Sequence, residues 1–203
     1  MAAIVARRFR ALCLAGVLLA FTGSVSAVLI DLDNATATFC QNGFPIGNAV
    51  DSDFGTNNGW AIDPQQGNNQ TAIFKAASDI GGLDATRLAF ELHMFWGDQH
   101  TIGRFRLSAT TSSRATYGLG AACSDATPGG TAVWNVLSPQ SLVSQNGQTL
   151  TVQPDGSVLA SLNNPPVDIV TFTTTTSLRG ITGFRLEVLA DSSFPSNGPG
   201  RAP

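Results

Sequence analysis

Apolar and polar residues alternate with a period of two along most of this chain. Leu88, Phe90, Leu92 and Met94 alternate with Ala89, Glu91 and His93. Phe105 and Leu107 alternate with Arg104, Arg106 and Ser108, and Phe184, Leu186 and Val188 with Arg185 and Glu187. Successive side chains of a strand point to opposite faces, so each stretch predicts a strand with one buried and one wet face. Weaker patterns predict strands at 28–32, 35–39, 71–75, 133–137, 149–152 and 167–175, and Trp60, following a glycine, opens another. No long stretch carries a helical period. Turn pairs fall between the strands: Asn42-Gly43, Asn58-Gly59, Gln66-Gly67, Gly81-Gly82, Asn146-Gly147 and Asp155-Gly156. Many short strands broken by Gly, Asn and Pro loops predict an all-β antiparallel sandwich over residues 28–191. The most loop-like break, residues 112–130, reads as a long connection or as a boundary between two half-units. Residues 192–203, rich in Pro, Gly and Ser, read as a flexible tail.

The first stretch breaks the alternation. Arg7, Arg8 and Arg10 precede an apolar run over residues 11–21, and a short polar segment ends in Val25-Ser26-Ala27. A basic head, a short apolar middle and a small-residue exit are the marks of a secretory signal peptide over 1–27. The run is too short to remain as a membrane-spanning helix. The mature chain is therefore expected to begin near Val28, outside the cytoplasm, in the periplasm or at the cell surface, with no membrane insertion.

Export changes how the composition is read. Three of the 11 basic residues and none of the 14 acidic ones lie in the leader, so the mature chain carries a net charge of −6. An acidic surface without a basic cluster argues against nucleic acid and anionic membranes as partners. Two cysteines remain, Cys40 and Cys123. In an oxidising compartment they are a candidate disulfide, with two separate buried thiols as the alternative.

Candidate chemistry is sparse. Asp51-Ser52-Asp53, with Thr56 and Asn57, puts hard oxygens in one loop, which suits a structural calcium ion; an Asx-rich turn capping its own backbone is the plainer account. Trp96 lies in Phe95-Trp96-Gly97-Asp98-Gln99-His100, between two strong strands, where a ring can face a ligand. A sugar's C–H face stacks on an indole while Asp98, His100 and Arg104 hold its hydroxyls. Trp60 and Trp134 read as core. His93, on the polar face of its strand, and Arg106, in a cross-strand ion pair for which Glu91 is a candidate partner, read as structural. No Gly-x-Ser-x-Gly elbow, zinc helix or distinct carboxylate pair favours an enzyme.

Several segments resemble a discoidin-like module, of the coagulation factor type C or galactose-binding-like kind, found in large exported bacterial proteins that also carry cytochrome domains. The matching words are Phe44-Pro45-Ile46-Gly47-Asn48-Ala49-Val50-Asp51, Gly59-Trp60-Ala61-Ile62-Asp63-Pro64 and His100-Thr101-Ile102-Gly103-Arg104-Phe105-Arg106-Leu107-Ser108. Trp134-Asn135-Val136-Leu137, Asp155-Gly156-Ser157-Val158-Leu159-Ala160 and Arg185-Leu186-Glu187-Val188-Leu189 follow. The resemblance implies a jelly-roll sandwich, a non-catalytic role attaching to a glycan or cell-surface polymer, and a structural calcium. The second group of words precedes the first in that family, so the order here implies either a permuted single sandwich or two outer halves of a shortened tandem. A structural or protein-interaction module of the cell envelope is the alternative function.

Overall fold

The structure, a computed structural model, describes residues 28–55 and 58–203 in full and residues 3–13 as a backbone strand. Residues 1–2 and 14–27 of the expected signal peptide, and Thr56 and Asn57 of the acidic loop, lie outside the described residues. Among the described residues thirteen strands follow in chain order: β1 (Ala3–Cys13), β2 (Val28–Ile30), β3 (Leu32–Ala37), β4 (Trp60–Ala61), β5 (Gln70–Ile80), β6 (Thr86–Met94), β7 (Arg104–Thr110), β8 (Asn135–Val136), β9 (Ser141–Ser144), β10 (Thr149–Val152), β11 (Val158–Ser161), β12 (Asp168–Thr176) and β13 (Ile181–Val188). Short 3-10 turns occupy Ile46–Ala49 and Pro195–Asn197.

The strands form two antiparallel sheets. One runs β2-β1-β6-β12-β9, with β4 beside β1; the other runs β10-β11-β7-β13-β5-β3, with β8 beside β7. Strands from residues 28–110 and from 131–190 contribute to both. β12 pairs with β6 over nine residues, and β13 lies between β5 and β7. The two blocks thus build one interior rather than two, and the 112–130 stretch is a connection that runs over the outside of the second sheet.

The alternation seen in the sequence makes that interior. Leu88, Phe90, Leu92 and Met94 of β6 meet Phe184, Leu186 and Val188 of β13, all buried. Phe90 stands edge-on to its cross-strand neighbour Phe172 at 5.8 Å and to Phe184 of the opposite sheet at 5.2 Å. Such pairs add about 0.5–1.5 kcal/mol each beyond area burial. Trp60 is fully buried, with its indole N–H donating to the Phe39 carbonyl at 2.8 Å.

The outer face of the second sheet is also covered. The 111–134 connection lays Tyr117 over it, fully buried, with the hydroxyl on Thr182 Oγ1 at 3.0 Å. Trp134 is half-buried here rather than in the main core, held between Tyr117 and the guanidinium of Arg185, 5.2 Å from its ring. Cys123 in this connection forms a disulfide with Cys40, their Cα atoms 5.0 Å apart across 83 residues of chain.

Residues 192–203, expected to be flexible, are tied down. Arg201 is buried and donates to Gln148 Oε1 and to the carbonyls of Asn163 and Leu162. Gln148 in turn donates to the fully buried carboxylate of Asp168, which also accepts from the backbone N–H groups of Asn146 and Ile169. A buried carboxylate persists only when its lone pairs are filled, as they are here. Composition could not show this clamp, because its members come from three separate loops and a strand end.

Candidate functional site

The site begins where β6 ends. After Met94 the chain turns through Gly97, Asp98 and Gln99, all with positive φ (+96°, +46° and +63°). Glycine adopts that region freely, but two consecutive L-residues there carry strain that the surroundings must hold. They are held by backbone bonds: the Gln99 N–H donates to the Pro166 carbonyl at 3.2 Å, and the His100 N–H to the Gly97 carbonyl at 2.9 Å. The turn leaves Trp96 half-buried and Asp98 exposed.

Trp96 is fixed from two sides. Phe44 meets it edge-on at 5.2 Å, and the His100 ring lies 6.2 Å away. His100 Nδ1 is bonded to the Gly97 carbonyl at 2.8 Å. Partial burial lowers the pKa of the imidazole, while the Gly97 carbonyl and the charge of Asp98 work to raise it. Trp96 and His100 thus lie beside each other, with Asp98 exposed on the turn between them.

Arg104 is not part of this group. Its Nε donates to Ser157 Oγ at 2.9 Å, Nη1 to Asp191 at 3.2 Å and Nη2 to Asp155 at 2.8 Å. All three nitrogens hold neighbouring loops of the protein, and Asp155 is pulled down to about 2, first by the Ser157 hydroxyl. Arg106 pairs bidentately with Glu187, its cross-strand neighbour on β13, at 2.8 and 2.9 Å. Glu91 belongs to the other sheet and bonds to His93 at 3.1 Å. The expectation of an Arg106–Glu91 pair fails because consecutive strands β6 and β7 cross between sheets instead of forming a hairpin.

His93 is also not a surface residue. Phe54 and Phe95 close over it, with ring centroids at 5.0 and 5.3 Å, and leave it buried. Phe54 arrives on the acidic loop. In that loop Asp51 Oδ1 accepts the Asp53 N–H at 2.8 Å, Asp53 Oδ1 accepts the Gly55 N–H at 2.9 Å, and Asp51 Oδ2 accepts from Asn58 Nδ2 at 2.8 Å. These are Asx turns, the plainer of the two accounts. Calcium takes six to eight oxygens. Asp51 and Asp53 bond their own loop through three of their four carboxylate oxygens, and Thr56, the third residue of the expected calcium set, lies outside the described residues. Among the described residues no group of three or more acidic, His or Cys side chains is placed to hold a metal.

One feature of the site left no trace in the sequence patterns. On the far side of the turn, Gln99 borders an open depression of about 440 Å³, walled by Leu159, Leu162, Asn164 and Phe194 with Arg201 behind. Leu162 is 81% exposed and has positive φ, +57°. The depression is assembled by the end of β11, the loop after it and the tail, three segments distant from the 97–100 turn in sequence. Comparison with protein-family models, with curated proteins and with solved structures returned no match to the chain.

Proposed function

We propose that this protein is an exported, non-catalytic module that binds a glycan or cell-surface polymer through the loops at the Trp96 end of the sandwich. The observation that carries the reading is the strained 97–99 turn, which presents a half-buried indole and an exposed carboxylate and, through Gln99 on its far side, borders a depression of about 440 Å³. Strain of this kind collects where a loop presents side chains to a ligand. The volume falls within the range of small-ligand sites, and its mixed walls suit a ring with one apolar face and one hydroxylated edge. The discoidin-like words support the same reading. Arg104 is left out of the proposed contact set, because its donors are already satisfied.

A shallow site on loops buries little area and competes with water for each hydroxyl, so its affinity is modest. The test is glycan-array and polysaccharide pull-down binding of the exported protein. Trp96→Ala is expected to weaken binding about tenfold, the cost of removing one anchoring aromatic. Val143→Ala, on the exposed edge strand β9, is expected to leave it unchanged. Equal binding by wild type and Trp96→Ala overturns this site.

A further inference from the structure

We propose that removal of the leader opens a slot one strand wide in the first sheet, and that the exported protein fills it with an extended segment of another polypeptide paired antiparallel to β6. This goes beyond the glycan reading and rests instead on the expected cleavage after Ala27. The leader, residues 1–27, contains β1. That strand is interior to its sheet: it pairs with β6 from Val5↔His93 to Cys13↔Thr86 on one side, and with β2 through Phe9↔Ile30 on the other. Its first residues also pair with β4, Ile4 opposite Trp60.

Cleavage therefore strips one side of β6 along nearly its whole length. It also removes β2's partner, since among the described residues β2 pairs with no other strand. Val28 and Leu29 are already 64% and 51% exposed. The opening reaches the interior. The two sheets run in the same order, joined at one side by the β9–β10 connection and at the other by the β2–β3 connection. Phe90 of β6 faces Phe184 of β13, so the next strand along, β1, lies over β5. Ala72, Phe74 and Ala76 of β5 are fully buried or nearly so. Without a strand above them they form an apolar floor beside a row of unpaired backbone groups, which is the geometry that captures an added strand.

The shape of the slot selects its occupant. It is bounded by β6 on one flank and by β2 on the other, so it admits one extended segment and not the edge of a second folded sheet. The segment needs about nine residues to match the β6 edge, an apolar residue at every second position to meet Phe74 and its neighbours, and no proline within the paired stretch. Its outward positions lie beside Arg87, Glu91 and His93 and suit polar side chains. The three residues of β2 are too few to cover this edge by sliding inward.

The test uses the full chain, exported from a secreting bacterial host, with the mass and N-terminus of the product read by intact and native mass spectrometry. The expected product begins near Val28. A synthetic peptide of residues 3–13 carrying Cys13→Ser is the probe. At saturation it is expected to raise Tm by about 5–10 °C and to protect β6 amides from hydrogen exchange. The same peptide with Phe9→Pro, which breaks pairing opposite Phe90, is expected to do neither. A product that retains residues 1–27 overturns the proposal, as does a processed monomer or dimer whose β6 amides are protected without peptide and whose Tm ignores it. None of these readouts depends on glycan binding, so the two proposals fail separately.

Discussion

Asp155 shows how a single side chain becomes structural. It is 40% exposed, yet it accepts from Ser157 through both hydroxyl and backbone N–H and holds the Arg104 guanidinium. Its carboxyl is pulled down to about 2, chiefly by the Ser157 hydroxyl. A folded-state pKa below the unfolded one gives stability that is present above pH of about 4 and lost as pH falls through about 2. Asp155→Asn is expected to lower Tm at pH 7, with the gap to wild type closing between pH 4 and 2; thermal melts across that range check it. A constant gap would mean that the charge does not matter. Arg104 and Asp98 illustrate what a sequence conceals at this scale. Both are polar residues next to strong strand patterns, but one is saturated by three internal partners and the other is exposed. The difference lies in which loops come to rest beside each residue, and no local pattern records that.

Among the elements, β13 is the most constrained. Gly183 packs so closely beneath the 111–134 connection that a Cβ there would sit 2.6 Å from the Tyr117 hydroxyl and 2.9 Å from the Phe74 carbonyl. The hydroxyl can shift; the carbonyl belongs to the neighbouring strand and cannot. Gly183→Ala is expected to cost about 1–3 kcal/mol in denaturant unfolding, the usual penalty for overpacking a filled space. A cost near zero would show that the connection can lift. Strand recognition succeeded where one face is buried and the other wet, as in β6, β7 and β13. The edge strand β9, Ser141–Ser144, left no clear signal, because an edge that buries little needs no alternation. β11 enters the sequence reading only as part of a family word. His93 lies on the polar face of its strand and bonds to Glu91, and the Phe54 loop folds over that face and buries it.

At the scale of the whole molecule the Cys40–Cys123 disulfide fastens the 111–134 connection to the loop after β3. Closing a loop of 83 residues stabilises the folded state by about 4–5 kcal/mol on the chain-entropy account. Cys123→Ser is expected to lose most of that in denaturant unfolding, and reduction of the wild type is expected to reproduce the loss. A loss well under 1 kcal/mol would mean that the Tyr117 packing and the backbone bonds of Ala37 to Ala122 and Asp125 hold the connection unaided. The sequence by itself determined the class of fold, because alternation and turn residues act through neighbours two to four positions apart. It also marked the Trp96 turn, and it named the cysteine pair without deciding between disulfide and free thiols. Tertiary structure decided that residues 28–110 and 131–190 share one interior, and that Arg104 is internal. It likewise placed the depression beside Gln99, the Asp168–Gln148–Arg201 clamp, and the strand position next to β6. Each depends on residues tens of positions apart meeting across two sheets, and that meeting is set by strand order, which a period of two leaves open.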